Sequence, residues 1–186
     1  MVPREMFVQH RYVDLANRDM ALPIACGQTM PEPWLVARIM EALALAPNQR
    51  VLEIGAGSGY ATAILARLAG QVVALERFQS LAISAMTRLE KLGQRHAQVV
   101  WGDGLAITPA IGLFDRILVH AELDPVPPQF LAVLAGGGML VAAAKPGADG
   151  VQWLCRITRN GQGGLDAQPI CPSRLRPLIA GMSSEL

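Results

Sequence analysis

A doubly wound α/β sheet with an antiparallel edge is the fold class the sequence predicts, and three observations predict it. Short apolar runs alternate with segments of helical periodicity from residue 34 to residue 144. The first strand-like run, Arg50-Val51-Leu52-Glu53-Ile54, enters a glycine-rich turn, Gly55-Ala56-Gly57-Ser58-Gly59, and a helical pattern follows at once. Further on, two β-rich runs flank the turn signal Asn160-Gly161, which has more glycines, Gly163 and Gly164, behind it. That pattern predicts a hairpin added to the parallel strands.

Taken in order, residues 1–32 are punctuated by proline and mixed in pattern, with room for a short helix between Arg11 and Met20. Pro31 and Pro33 then impose an extended, rigid path. Pro33 suits the first turn of a helix whose apolar face is Leu35, Ile39, Met40 and Leu43. Strands are predicted over 50–54, 71–76, 97–101, 114–120 and 139–144. Helices are predicted over 61–69 and 79–92, with a short one ending at Leu134. The hairpin strands fall at 151–158 and 165–170. Nothing marks a domain boundary, so residues 1–186 are expected to form one domain, with 1–46 as an N-terminal cap and loop.

Composition narrows the function. Hydrophobic residues make up 52% and charged residues 17%, which suits buried parallel strands. A net charge of +1 with scattered basic residues gives no footprint for nucleic acid. Cys26, Cys155 and Cys171 are far apart and form no CxxC or Cys/His cluster, so no metal is expected. Their odd number points to a reducing, cytoplasmic compartment. The N-terminus lacks the apolar core of a signal peptide, and no apolar run approaches a membrane span.

The chemistry is carried by acids that close strands. Gly55, Gly57 and Gly59 alternate, a spacing that departs from the G-x-G-x-x-G of dinucleotide folds, and no Gly-Lys-Ser/Thr follows for a phosphate loop. Glycines let a ligand lie against the backbone at the start of a helix. Glu53, two residues before Gly55, can meet the cationic character of S-adenosylmethionine, which has an α-ammonium and a sulfonium but no phosphate. Glu76 ends the next strand, where an acid can accept both ribose hydroxyls, as in dinucleotide folds. Asp103, in Gly102-Asp103-Gly104, ends the third and can accept from an adenine amino group, or can simply form a turn. In an open α/β sheet the three acids gather on the rim where ligands bind. A glycine-rich turn with no ligand is the competing reading. The order of turn and downstream acids favours the cofactor.

With these residues in view, the chain resembles the protein-L-isoaspartate (D-aspartate) O-methyltransferases over nearly its whole length. The similar segments are Val2 to Val8, Ala21-Leu22-Pro23-Ile24, Gly27-Gln28-Thr29, Arg50 to Tyr60, Gly102-Asp103-Gly104, Phe114-Asp115, Ala135-Gly136-Gly137 and Arg174 to Leu178. The resemblance implies a Rossmann-like class I methyltransferase sheet. It also implies methylation of the α-carboxylate of L-isoaspartyl residues in damaged proteins, whose ester then collapses to a succinimide. Glu53, Gly55, Gly57, Gly59, Glu76, Asp103 and Gly104 carry over as cofactor contacts. A carboxylate acceptor, with a pKa of about 4, is already ionised near neutrality, so the absence of a catalytic base is no objection.

Two departures fall at the acceptor side. The family loop reads Gly-Gln-Thr-Ile-Ser-x-Pro, and here Met30 and Pro31 replace isoleucine and the serine expected to bind the substrate carboxylate. Proline has neither a hydroxyl nor a backbone N–H, and Thr29 remains as the loop's hydroxyl. His120 stands where relatives carry threonine, with Glu122 and Asp124 just beyond. If these acids face the pocket they repel an anionic acceptor, and His120 can act as a base or simply face a neighbour. Thr29, Pro31 and His120 are therefore the candidate acceptor-side residues. The alternatives to isoaspartyl methylation are another peptide or metabolite acceptor, and a cofactor-binding protein without turnover.

Overall fold

The structure is a computed structural model that describes residues 2–162 and 164–184; Gly163, counted above among the turn's glycines, lies outside them, as do Met1, Glu185 and Leu186. Two short strands, β1 (Leu22–Pro23) and β2 (Thr29–Met30), pair antiparallel ahead of helix α1 (Pro33–Leu43). Strands β3 (Arg50–Ile54), β4 (Gln71–Glu76) and β5 (Ala97–Trp101) alternate with helices α2 (Tyr60–Leu68) and α3 (Gln79–Lys91). Strand β6 (Phe114–Leu123), helix α4 (Pro128–Ala132) and strand β7 (Leu134–Ala144) follow, then β8 (Gln152–Arg159) and β9 (Leu165–Ser173).

Seven strands form one sheet in the order β5-β4-β3-β6-β7-β8-β9. The first five are parallel, and β8 and β9 add the antiparallel edge. The strand order reverses between β3 and β6, which makes the gap beyond their carboxyl ends the topological switch point. Both faces of the sheet are covered, and the central strands show it by alternation. Val51, Val72, Ala74 and Leu118 pack with Leu35, Ile39, Leu65 and Leu89 of α1, α2 and α3. Leu52, Val73, Leu75 and Ile117 face the other way, against Phe114, Phe130 and Leu134.

Most predicted elements recur within a residue or two, and the differences have physical causes. Strand β6 runs on to Leu123 because Glu122 continues the pairing with both β7 and the C-terminal tail. Strand β7 starts at Leu134, before the three glycines, because Leu134 already pairs with Phe114. The segment between Arg11 and Met20 contributes only a 3-10 turn, His10–Leu15, which buries no residue, and the buried Ala16 that follows gives its carbonyl to Arg4. The β1–β2 hairpin was not foreseen, since two-residue strands leave no periodic signal.

Two segments close over the carboxyl end of the sheet. The N-terminal segment is fixed by Arg4, which is 3% exposed. Its guanidinium donates to the carbonyls of Ala16 at 2.6 Å, Met20 at 3.0 Å and Pro31 at 2.8 Å, and lies over the Tyr60 ring. The C-terminal tail runs across the rim. It exchanges backbone hydrogen bonds with Glu122 through Arg176 and Leu178, and with Arg77 and Gln79 through Ser183.

Candidate functional site

A cleft of about 170 Å3 opens at the switch point. Its floor is the end of β3 and the glycine turn, represented by Ile54, Gly55 and Gly57. Glu76, Arg77 and Phe78 close one side, and His120 closes the other. Ile24, Gln28 and Thr29 of the β1–β2 hairpin form a third wall, and Arg176 to Ile179 of the tail form a fourth. A smaller cavity beneath the hairpin shares Gly55, Gly57, Thr29 and His120 with the cleft, and adds Met30, Pro31 and Tyr60.

The acids at the strand ends take distinct partners. Glu76 is 4% exposed, and both its oxygens are held by backbone: Gly57 N–H donates to Oε2 at 2.8 Å and Phe78 N–H to Oε1 at 2.9 Å. The carboxylate is thus fixed in the cleft wall, with each oxygen retaining a lone pair for a hydroxyl donor. Glu53 is fully buried. Its Oε1 accepts from His120 Nε2 at 2.8 Å, whereas its Oε2 has no hydrogen-bond partner. A buried carboxylate oxygen without a donor is costly, and Glu53 is not among the residues that wall the cleft or the cavity, so this oxygen lies behind their surface.

Asp103 forms a turn, the second of the two roles its sequence position allowed. Its Oδ1 accepts from Leu105 N–H at 2.8 Å, capping a short turn, and its Oδ2 accepts from Gly181 N–H at 2.7 Å. It is not among the residues that wall the cleft, although Gly102 and Gly104 are. Asp103 therefore ties the tail to the rim.

The glycines also divide. Gly55 lies under His120, and Gly57 under the Ile24 side chain, with 3.3 Å between the place a Cβ would occupy and Ile24 Cδ1. These two border the cleft. Gly59, with φ near +87°, faces Ala85 of α3, where a Cβ would come within 2.9 Å of the Ala85 Cβ. Its role is close packing of two helices, and it does not line the cleft. Gly104 meets Ile54, whose Cγ2 would be 2.4 Å from an added Cβ, so it allows the third strand's exit loop to lie on β3.

On the acceptor side, Thr29 is exposed and borders the cleft, the small cavity and an outer groove. Pro31 borders the cavity and the groove but not the cleft, and its carbonyl is taken by Arg4. Glu122 and Asp124 turn away. Glu122 accepts from Gln152 Nε2 at 2.6 Å, and Asp124 pairs with Lys145 at 3.3 Å. Neither acid walls the cleft or the cavity, so the repulsion of an anion considered from their sequence position does not arise. His120 faces a neighbour, Glu53, and both the cleft and the cavity.

Sequence reasoning missed three contributors. Arg4, the tail residues Arg176 to Ile179, and Phe78 shape the site, and although Arg4 and Arg176 to Leu178 fall in segments similar to the family, nothing in their spacing placed them at the cleft. A charged residue inside the similar N-terminal segment was the one hint for Arg4. Among the described residues, no group of His, Cys, Asp and Glu is placed to hold a metal ion, and no helix is long and apolar enough to cross a membrane.

Comparison with known proteins follows this geometry. Residues 1–181 match the family described as Protein-L-isoaspartate(D-aspartate) O-methyltransferase (PCMT). A Protein-L-isoaspartate O-methyltransferase of Rhodopseudomonas palustris (strain BisA53) is 47% identical over 185 residues, covering 100% of this chain and 85% of the relative. A protein of the same name from Bradyrhizobium sp. (strain BTAi1) is 46% identical with the same coverage. Among solved structures, a protein-L-isoaspartate O-methyltransferase superposes with a TM-score of 0.84 at 26% identity over 97% of this chain, which spans 59% of that solved chain. A putative Plasmodium falciparum member in complex with S-adenosyl-L-homocysteine shares the fold, with a TM-score of 0.77 at 22% identity, over 96% of this chain and 86% of its own. The chain belongs to the protein-L-isoaspartate (D-aspartate) O-methyltransferase family.

Proposed function

We propose that this chain is an S-adenosylmethionine-dependent methyltransferase that esterifies the α-carboxylate of L-isoaspartyl residues in damaged proteins, as one cytoplasmic domain. The observation that carries the reading is the shared wall: the glycine turn and Glu76 on one side of a single cleft, and Thr29 of the hairpin on the other. Cofactor and acceptor then meet at the switch point.

The residues fit the cofactor on structural grounds, through the backbone-locked carboxylate of Glu76 in the cleft wall and the two glycines that border it. Glu53, buried behind the wall and bonded to His120, would counter the charge of the α-ammonium, Gly55 and Gly57 would let the methionine and ribose portions approach, and Glu76 would accept the ribose hydroxyls. Gly104 would border the cofactor from the cleft wall, and Asp103 and Gly59 would support these contacts from behind by fixing the tail and α3. When bound, S-adenosylmethionine supplies an electrophilic methyl on a sulfonium whose leaving group is a neutral thioether.

The protein's task is orientation. An acceptor carboxylate needs no deprotonation near pH 7, so the site must align a carboxylate oxygen with the methyl and keep water out. The tail and the hairpin supply that cover, and Thr29 offers the hydroxyl that borders the acceptor's approach. The test is methyl transfer from labelled S-adenosylmethionine to an isoaspartyl peptide beside its aspartyl twin. Base-labile label on the isoaspartyl peptide alone is expected. Label on neither, with cofactor binding intact by calorimetry, overturns the proposed acceptor.

A further inference from the structure

We propose that His120, held by the buried Glu53, is the group that recognises the acceptor's carboxylate in this chain; the inference rests on the isoaspartyl reading above and names the side chain that makes it work with Pro31 in the loop.

The position of His120 is the first ground. Among the described residues it is the one side chain able to carry a positive charge that lines both the cofactor cleft and the cavity beneath the hairpin. Arg77 and Arg176 border the cleft but not the cavity. A carboxylate that lies between the hairpin and the cleft therefore meets one cationic centre. His120 is reachable there, its side chain being 11% exposed.

The second ground is the hydrogen-bond inventory. The loop offers an anion only neutral donors: Pro31 has no N–H or hydroxyl, the Thr29 hydroxyl borders both spaces, and the Gln28 amide, one N–H of which goes to the Cys26 carbonyl, borders the cleft but not the cavity. Glu53 takes the Nε2–H of His120 and fixes the ring, so Nδ1 is the nitrogen left for a second partner. With both nitrogens protonated, the ring is a cationic donor whose charge is balanced by Glu53 when no acceptor is present. The charged or titratable groups around it are Glu53 on β3, Tyr60 at the start of α2, Glu76 and Arg77 at the end of β4, and Arg176 in the tail. The hairpin contributes no charged side chain to either cavity, and Glu122 is bound to Gln152. An isoaspartyl carboxylate stays ionised from about pH 6 upward, so a pH dependence of acceptor binding reports on the protein's donor and not on the acceptor.

The test is calorimetric binding of an isoaspartyl peptide to the protein saturated with S-adenosylhomocysteine, between about pH 6 and about pH 8.5. Wild-type affinity is expected to weaken roughly tenfold or more as pH rises. His120→Gln, similar in size and unable to ionise, is expected to bind roughly 10- to 100-fold more weakly at the low end and to show no pH dependence. Its affinity for S-adenosylhomocysteine should fall less than its affinity for peptide, and its thermal midpoint should drop somewhat because the bond to buried Glu53 loses its charge. Adding Pro31→Ser to His120→Gln should recover part of the lost peptide affinity by restoring a donor. Tight wild-type binding that does not vary with pH overturns the proposal without any variant, as does a His120→Gln protein that binds peptide like wild type. Equal loss of peptide and S-adenosylhomocysteine affinity in that variant also overturns it, since His120 would then act through the cofactor side. No peptide binding by wild type at any pH overturns the isoaspartyl reading itself, and the inference with it.

Discussion

Replacing Glu76 with glutamine tests the cofactor side of the cleft with the least change of shape. The wild-type carboxylate accepts one backbone N–H on each oxygen, Gly57 on Oε2 and Phe78 on Oε1. A glutamine amide has one acceptor oxygen and one donor NH2. Either flip therefore aims an NH2 at one of the two N–H groups, and that side of the wall loses its hydrogen bond. The remaining bond also loses its charge assistance. A hydrogen bond to a charged group contributes about 1.5–3 kcal/mol, so cofactor affinity should fall roughly 10- to 150-fold. The same loss applies to the fold, because the Gly57 and Phe78 backbone is anchored through this carboxylate in a nearly closed site. At about 2–4 °C per kcal/mol for a chain of this size, the thermal midpoint should drop by roughly 3–12 °C. Calorimetry with S-adenosylhomocysteine and thermal unfolding read the two effects separately. Affinity within about threefold of wild type, with an unchanged midpoint, would refute the assignment of Glu76 as the lock between turn and cleft.

Other perturbations follow from the same geometry. Gly104→Ala places a Cβ 2.4 Å from Ile54 Cγ2. Overpacking of that kind should cost about 1–3 kcal/mol in thermal or urea unfolding, whereas Gly102→Ala, with 3.4 Å to Leu75 Cδ2, should cost less. Arg4→Met removes the donors to Ala16, Met20 and Pro31. Leaving such carbonyls without partners costs about 1–3 kcal/mol, offset in part because burial already disfavours the Arg4 cation. Proteolysis between residues 16 and 31 should accelerate and the KM for peptide should rise. Burial pushes the thiols of Cys155 and Cys171 above the usual value of 9.0. Their unfolded forms then ionise first, so their contribution to stability is present below about pH 9 and is lost as pH rises through the folded values. A thermal midpoint that stays flat into that alkaline range, or whose alkaline fall is unchanged in a Cys155→Ala, Cys171→Ala double variant, would count against this assignment.

The strands β3, β4 and β5 and the helices between them were legible because their signals are local. Apolar alternation, helical spacing and a glycine turn each need only a few consecutive residues. The same locality located Glu53, Glu76 and Asp103 at strand ends on one rim. It did not say what each acid would touch. Glu53 meets a histidine 67 positions away and Asp103 a backbone N–H 78 positions away. From sequence both read as cofactor contacts; neither walls the cleft, and Asp103 also holds the tail.

The sequence by itself determined the layered α/β architecture, the glycine turn at the mouth of a strand, the family, and a loop with proline, which has no hydroxyl or N–H, at position 31. These follow from residue type and spacing, which the chain carries wherever it folds. The tertiary structure decided how the site is enclosed and wired. It turned Glu122 to Gln152 and Asp124 to Lys145, set His120 against Glu53 between two cavities, and laid the tail across the rim. Those choices depend on strand order, register and burial, because a polar group removed from water must find a partner among whatever the fold brings within about 3 Å.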